Sequence, residues 1–146
     1  MLIGVGGSGK QSLTRMGSHM YEMEYKQIEI VKGYGQKHFN EFIKERMFET
    51  GIEGRKVTFA MTDSQILKET FLEDINNILN TGEVPNLMLQ EAKDKIESEV
   101  RPIVIEMKLE PSTDIIKQFF VERVRENLHI ALCMSPVGDD LRIRCR

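Results

Sequence analysis

A glycine-rich run near the start of the chain has the spacing of a phosphate-binding loop. Four residues separate Gly4 from Gly9, and Lys10 follows directly. Glycines let successive backbone N–H groups point inward at phosphate oxygens, and the helix expected after Gly9 adds the positive end of its dipole. Lys10 supplies a point charge for the outer phosphates. The pattern predicts triphosphate binding by Gly4, Val5, Gly6, Gly7, Ser8, Gly9, Lys10, Gln11 and Ser12; the alternative is a glycine-rich turn without a ligand.

Two positions suggest a magnesium ion beside the phosphates. The phosphate-loop motif usually has serine or threonine directly after the lysine as a metal ligand, but here Gln11 stands there and Ser12 comes one residue later. Asp63 ends an apolar stretch, where P-loop ATPases hold magnesium through its waters. The predicted metal-binding set is therefore Gln11, Ser12 and Asp63, with less compact geometry at Gln11. Alternatively, Asp63 caps a helix.

The residue after Asp63 bears on hydrolysis. Hydrolytic members usually have a glutamate there, which polarises the attacking water, whereas this chain has Ser64. Serine is a poor base at neutral pH. Glu69 and Glu73 replace that glutamate only if their helix turns back toward the γ-phosphate; otherwise they are solvated charges. The sequence thus predicts nucleotide binding, leaves hydrolysis doubtful and identifies no catalytic residue.

Polar residues also follow the last apolar segment. Ser135 comes directly after Leu128–Met134, where an ATPase core places a side chain against the γ-phosphate; the alternative is an ordinary serine before a proline. Arg142, Arg144 and Arg146 come next. In a ring ATPase, an arginine here reaches the neighbouring module's nucleotide, and otherwise the three form a solvated basic end.

The segments that must position these residues alternate between strand-like and helix-like periodicity. Strands are predicted at 1–3, 27–31, 57–61 and 128–134, and helices at 10–25, 36–50, 68–80, 89–108 (interrupted at Pro102) and 113–126. Such alternation predicts an α/β fold, a parallel sheet flanked by helices in three layers. The inventory lacks elements at both ends, so we expect residues 1–146 to be a partial domain, truncated at both ends.

Composition narrows the function classes. The chain has 146 residues, of which 40% are hydrophobic and 29% charged, and its net charge is −3. That charge gives no field to attract nucleic acid or an acidic membrane, and no apolar run approaches the roughly 20 residues of a membrane span. The two cysteines, Cys133 and Cys145, indicate neither a disulfide framework nor a zinc site, which fits a reducing compartment.

Several motifs, in order along nearly the whole chain, resemble the fourth AAA+ module of dynein heavy chains in its axonemal variant. They are the phosphate loop at 4–15, the Thr-Asp-Ser-Gln-Ile run at 62–66, the helix and loop at 71–79 and 82–87, and the segment at 119–138. Gln11 and Ser64 both belong to that pattern. The stretch 89–112 matches least, so no site role is assigned there.

The resemblance implies more than the residues alone do. It implies the AAA+ large subdomain of a P-loop NTPase, from the phosphate loop through sensor one, acting as a regulatory module that binds ATP or ADP with Mg²⁺ in a microtubule motor. Implied partners are the other AAA+ modules of the same heavy chain, dynein intermediate and light chains, and microtubules, with no nucleic acid or membrane. The implied location is the cytoplasm, cytoskeleton and axoneme of a cilium or flagellum. The rival hypotheses are a stand-alone small P-loop kinase and a degenerate structural module.

Overall fold

A computed structural model describes residues 1–82, 84, 87 and 89–136. The predicted arginines Arg142, Arg144 and Arg146 lie outside these residues, as does Cys145. The elements in chain order are strand β1 (Leu2–Ile3), helix α1 (Lys10–Met20), strand β2 (Glu24–Gln27), helix α2 (Gln36–Gly51), strand β3 (Val57–Thr62), a 3-10 turn (Asp63–Gln65), helix α3 (Glu69–Thr81), helix α4 (Gln90–Glu106), helix α5 (Thr113–Asn127) and strand β4 (Leu128–Met134).

The four strands form one parallel sheet in the order β1-β4-β3-β2. The last strand in sequence therefore lies between the first and third. In register, Ile3 lies beside Met134, and Thr62 lies beside Cys133. All strands run the same way, so the segments following β1, β3 and β4 leave the sheet at one edge. The predicted α/β fold with a helix-flanked parallel sheet is confirmed.

Helices cover both faces of the sheet, and the alternation of side chains along the strands shows which helix lies on which face. Phe59 of β3 contacts Phe42 of α2, with ring centroids 5.1 Å apart. Cys133 pairs with Thr62, and both side chains point to the face opposite Phe59. The Cys133 sulfur lies 3.7 Å from the Thr14 hydroxyl of α1. Side chains alternate between faces along a strand, so α1 lies on the face opposite α2.

The face covered by α2 and α5, here called the packed face, holds most of the core. The buried side chains include Phe39, Ile43 and Met47 of α2 and Phe120 and Val124 of α5. Phe39 stacks on Phe71 of α3 with centroids 4.3 Å apart. Gly51 permits the close approach of the two helices, because a Cβ there would overlap the Phe120 ring. The helical spacing of Phe39, Ile43 and Met47 thus matches the face of α2 that is buried.

The opposite face, here called the open face, is covered sparsely by α1. Ser18 is the one residue of that helix classed as buried. Leu13, Met16 and Met20, which recur at helical spacing in the sequence, are 59%, 61% and 74% exposed. Within the described part of the chain, no packed element covers these side chains.

Other differences from the predicted elements have physical causes. The second strand is Glu24–Gln27, because Glu24 pairs with Val57 and Gln27 with Ala60; the predicted strand at 27–31 was wrong, and α1 correspondingly ends at Met20. Helix α4 continues through Pro102, which is exposed, so water can replace the lost backbone bond.

Two burial predictions also fail. The apolar spacing along α3 also points Leu79 inward with Ile75 and Ile78, yet Leu79 is 54% exposed. The continuous apolar run of β4 is typical of a strand buried on both faces, but β4 exposes His129 on the open face and only half buries residues 130–132. Among the described residues, every helix is too short or too polar to span a bilayer.

Candidate nucleotide site

The glycine-rich loop leaves β1 and turns directly into α1. Gly7 and Gly9 have φ of +76° and +77°, a left-handed conformation that side chains disfavour. Gly9 occupies the position before the helix, and its carbonyl accepts the Leu13 N–H at 2.8 Å. A Cβ added at Gly6, Gly7 or Gly9 would meet no atom within 4 Å, so no neighbouring side chain packs against these three residues.

Lys10 folds its ammonium back over the loop. Its Nζ donates to the carbonyl oxygens of Gly4 at 2.6 Å and Val5 at 2.9 Å, and to the Ser8 hydroxyl at 3.2 Å. The lysine charge is thereby held at the loop, where the sequence predicts phosphate. Gly4 and Val5 contribute carbonyl acceptors for Lys10 instead of lining the cavity described next.

The ends of β3 and β4 meet beside the loop. The Ser135 backbone N–H donates to Asp63 Oδ2 at 2.6 Å. This bond links the residue after β3 to the residue after β4, and it leaves the other Asp63 oxygen without this tie. The loop, Asp63 and Ser135 thus lie together at the carboxyl edge of the sheet.

A cavity of about 490 Å³ opens between these elements. It is lined by Gly6, Gly7, Ser8, Gly9, Lys10, Gln11, Ser12, Thr62, Asp63, Ser64, Cys133 and Ser135. The set therefore contains one ammonium, one carboxylate, several hydroxyls and a run of backbone amides, as a polyphosphate with a cation requires.

Sequence reasoning did not assign three lining residues to nucleotide contact: Thr62, Ser64 and Cys133. Each is adjacent to a predicted site residue at a strand end, and that adjacency was the available signal. Thr62 Oγ1 and Ser64 Oγ lie 3.1 Å apart, so a hydrogen bond joins the two hydroxyls. Neither Glu69 nor Glu73 is in the described lining of the cavity, and both side chains are exposed.

The donor set suits magnesium held mainly by phosphate and water. Gln11, Ser12 and Asp63 all line the cavity and offer oxygen ligands, which this hard cation prefers. Within the described residues, no cluster of three or more His, Cys, Asp or Glu residues is placed to hold a metal. One carboxylate with hydroxyl and amide oxygens matches a cation bound together with a nucleotide.

A second positive charge lies further along α1. The Arg15 guanidinium lies 4.9 Å from the centre of the Tyr25 ring of β2, within the range of a cation–π contact. Burial raises the pKa of the Tyr25 phenol, against the opposing effect of Arg15. The phenol therefore remains neutral at physiological pH.

Comparison with known proteins gives a consistent result. The family described as the P-loop containing dynein motor region D4 matches residues 1–146. Dynein axonemal heavy chain 1 of Homo sapiens is 44% identical over 146 residues. Dynein axonemal heavy chain 6 of Homo sapiens is 46% identical over 147 residues, and the dynein-1-beta heavy chain of the flagellar inner arm I1 complex of Chlamydomonas reinhardtii is 42% identical over 146 residues.

Each of these matches covers the whole of this chain but little of the relative. The chain spans 3% of the length of dynein axonemal heavy chain 1, 4% of dynein axonemal heavy chain 6 and 3% of the Chlamydomonas protein. The similarity therefore concerns one module of much longer proteins.

Proposed function

We propose, from the premise that this chain belongs to the family of the P-loop containing dynein motor region D4, that it binds ATP or ADP with Mg²⁺ as a regulatory module of a dynein heavy chain. Residues 1–146 would then form part of an AAA+ large subdomain, from the phosphate loop through sensor one. Nucleotide binding is general in P-loop modules; the identity of this nucleotide and its metal are our proposal.

The observation that carries the proposal is the meeting of three separate segments around one cavity. Residues 6–9 of the loop and Lys10 line one side of the cavity, and Asp63 lines it from the end of β3. The Ser135 N–H, at the end of β4, donates to Asp63 Oδ2 at 2.6 Å. The backbone amides and Lys10 would bind phosphate oxygens. Gln11, Ser12 and Asp63 would hold magnesium, which when bound neutralises phosphate charge.

Several features favour binding over rapid turnover. Ser64 follows Asp63 in the lining, and a serine hydroxyl does not act as a base at neutral pH. Glu69 and Glu73 are exposed and lie outside the described lining. We therefore assign the site a regulatory role, in which occupancy biases neighbouring modules through differential binding.

In the whole protein, this module would contribute to ATP-driven movement along microtubules in the axoneme of a cilium or flagellum. Its partners would be the other AAA+ modules of the same heavy chain, with intermediate and light chains bound elsewhere. The family match over the full chain weighs against the stand-alone kinase hypothesis. The degenerate structural module remains the outcome opposite to ours in the test below.

Calorimetric titration with ATP and ADP tests the site directly. Lys10→Ala should raise Kd by about 10- to 150-fold, because a hydrogen bond to a charged group contributes roughly 1.5–3 kcal/mol. Lys93→Ala, which removes the same charge from an exposed position on α4, is the matched control and should bind like the parent. A folded parent chain that binds neither nucleotide would instead support the structural module.

A further inference from the structure

Gln65 is a buried polar residue at the end of the turn that carries Asp63. Its side chain is 4% exposed. Its Oε1 accepts the Thr62 backbone N–H at 2.8 Å, and its Nε2 donates to the Ile28 carbonyl oxygen at 2.5 Å. An amide taken out of water is costly unless both of its ends are bonded. Here both ends are bonded, so the side chain acts as a fixed tie.

The tie joins two segments that are distant in sequence. Ile28 follows β2 directly, and its own side chain is buried. Tyr34, just before α2, donates its hydroxyl to the Gln65 carbonyl oxygen at 2.9 Å. Gln65 therefore fastens the end of β3 to the connection between β2 and α2 through both its side chain and its backbone.

This fastening bears on the carboxylate of the site. Asp63 lies between Thr62 and Gln65, so its backbone is fixed on both sides by the bond from the Thr62 N–H to Gln65 Oε1. On the far side, the Asp63 carboxylate is held by the Ser135 N–H at 2.6 Å. Loss of the Gln65 amide would free one of the two anchors that place Asp63 opposite Lys10 and Gln11.

Gln65 itself does not face the nucleotide cavity. Thr62, Asp63 and Ser64 line that cavity, but Gln65 does not. Its amide atoms bond to Thr62 and Ile28, and a carboxamide neither gains nor loses a charge near neutral pH. Any effect of Gln65 on the ligand must therefore pass through the turn that it holds, from Thr62 to Ser64, whose one carboxylate is Asp63.

We propose that Gln65 is a positioning residue for the metal-binding carboxylate. By its hydrogen bonds to Thr62, Ile28 and Tyr34, it holds the Asp63 carboxylate in the position that binds magnesium. The inference rests on the proposed nucleotide-binding function. It adds that the two regions affect different parts of the nucleotide affinity. Gln65 contributes to the part that depends on magnesium, whereas the phosphate loop contributes to the part that needs no metal.

The test compares ATP binding with magnesium to ATP binding in excess EDTA, by calorimetric titration of the purified chain. In Gln65→Ala, Kd with magnesium should rise about tenfold, the effect of losing roughly one well-placed interaction. Kd in EDTA should change less than about twofold, because the phosphate loop does not contact Gln65. The matched control is Gln118→Ala, which removes an exposed glutamine amide that donates to Glu122 on the same helix; it should leave both values unchanged.

A general loss of stability is separated from positioning by a second control. Ile78→Val trims a buried core side chain of α3 outside the site, and it should lower Tm without changing the ratio of the two Kd values. Equal weakening of both Kd values in Gln65→Ala, as expected of mere destabilisation, would overturn the positioning role. If the parent chain binds ATP under neither condition, the proposed function itself is overturned, which is a distinct result.

A milder variant covers the case in which Gln65→Ala does not fold. Tyr34→Phe removes one hydroxyl and keeps the ring against Phe71, 6.1 Å between centroids. It should raise Kd with magnesium about twofold to fivefold, in line with loss of one neutral hydrogen bond, and leave Kd in EDTA unchanged. An unchanged ratio in this variant would likewise count against the tie.

Discussion

The packed face and the open face of the sheet carry similar apolar side chains but use them differently. On the packed face, Phe39 and Phe120 are almost completely buried between helices. On the open face, Met16 and Met20 are mostly exposed, although they recur at helical spacing. An apolar stripe contributes to stability only where another element removes it from water.

The contrast separates two properties of this chain. The packed face supplies most of the buried area and therefore most of the stability. The phosphate loop and α1, on the open side, hold the groups that would meet a ligand and bury little. Substitutions on the packed face should therefore alter the free energy of unfolding, whereas substitutions in the phosphate loop or α1 should alter nucleotide affinity.

The largest expected effect is on the packed face. Phe39→Ala removes a fully buried ring stacked on Phe71 and should lower the free energy of unfolding by about 3–5 kcal/mol. Urea denaturation followed by circular dichroism measures this loss. Met16→Ala, at a 61% exposed position of α1, should stay within about 0.5 kcal/mol of the parent. Similar losses in the two variants would break the contrast between the faces.

Two helical glycines, one on each side of the sheet, sharpen the comparison because the same substitution should have opposite signs. Gly51→Ala would drive a methyl group into Phe120 and Val124 and should destabilise the chain by about 1–3 kcal/mol. Gly17→Ala on α1 meets nothing within 4 Å and should stabilise it by roughly 0.5–1 kcal/mol through helix propensity. Thermal melts of both variants give the signs, and a stabilising Gly51→Ala would contradict the close packing of α2 on α5.

The smallest expected effect is a pH dependence near the packed face. Burial raises the pKa of Asp74 on α3 above its ordinary 3.8, partly offset by the hydrogen bond from Gln36. The folded chain then binds more protons than the unfolded chain between 3.8 and the raised value, so this group makes the free energy of unfolding fall as pH rises through that window. Asp74→Asn should lack this fall, and its stability relative to the parent should therefore increase with pH. A difference that is constant with pH would rule out this contribution.

Much of this architecture was predictable because local pattern and tertiary structure agree. Strand Leu128–Met134 was predicted with its observed ends, since its apolar run is bounded by a helix and by Ser135-Pro136. The convergence of the loop, Asp63 and Ser135 followed from parallel strands ending at one edge. These features depend on the order of elements, which the sequence states directly.

The missed features depend on partners far along the chain. The apolar residues at 28–31 resembled a strand, but strand pairing to β3 selects Glu24–Gln27. The carbonyl of Ile28 instead meets the side chain of Gln65, 37 residues away. No local pattern gives such a contact, and none shows that the apolar stripe of α1 lacks a described partner.

The three hydrogen bonds of Lys10 to its own loop have a consequence for the enthalpy and entropy of binding. An arriving phosphate does not meet a bare ammonium, because Gly4, Val5 and Ser8 already satisfy it. Contact with phosphate therefore exchanges bonds instead of adding them, and the measured enthalpy is a difference between two solvating shells. The same bonds hold the loop in shape before the ligand arrives, so little backbone entropy is lost on association. The ammonium thus keeps the loop in the conformation that is expected to bind the anion.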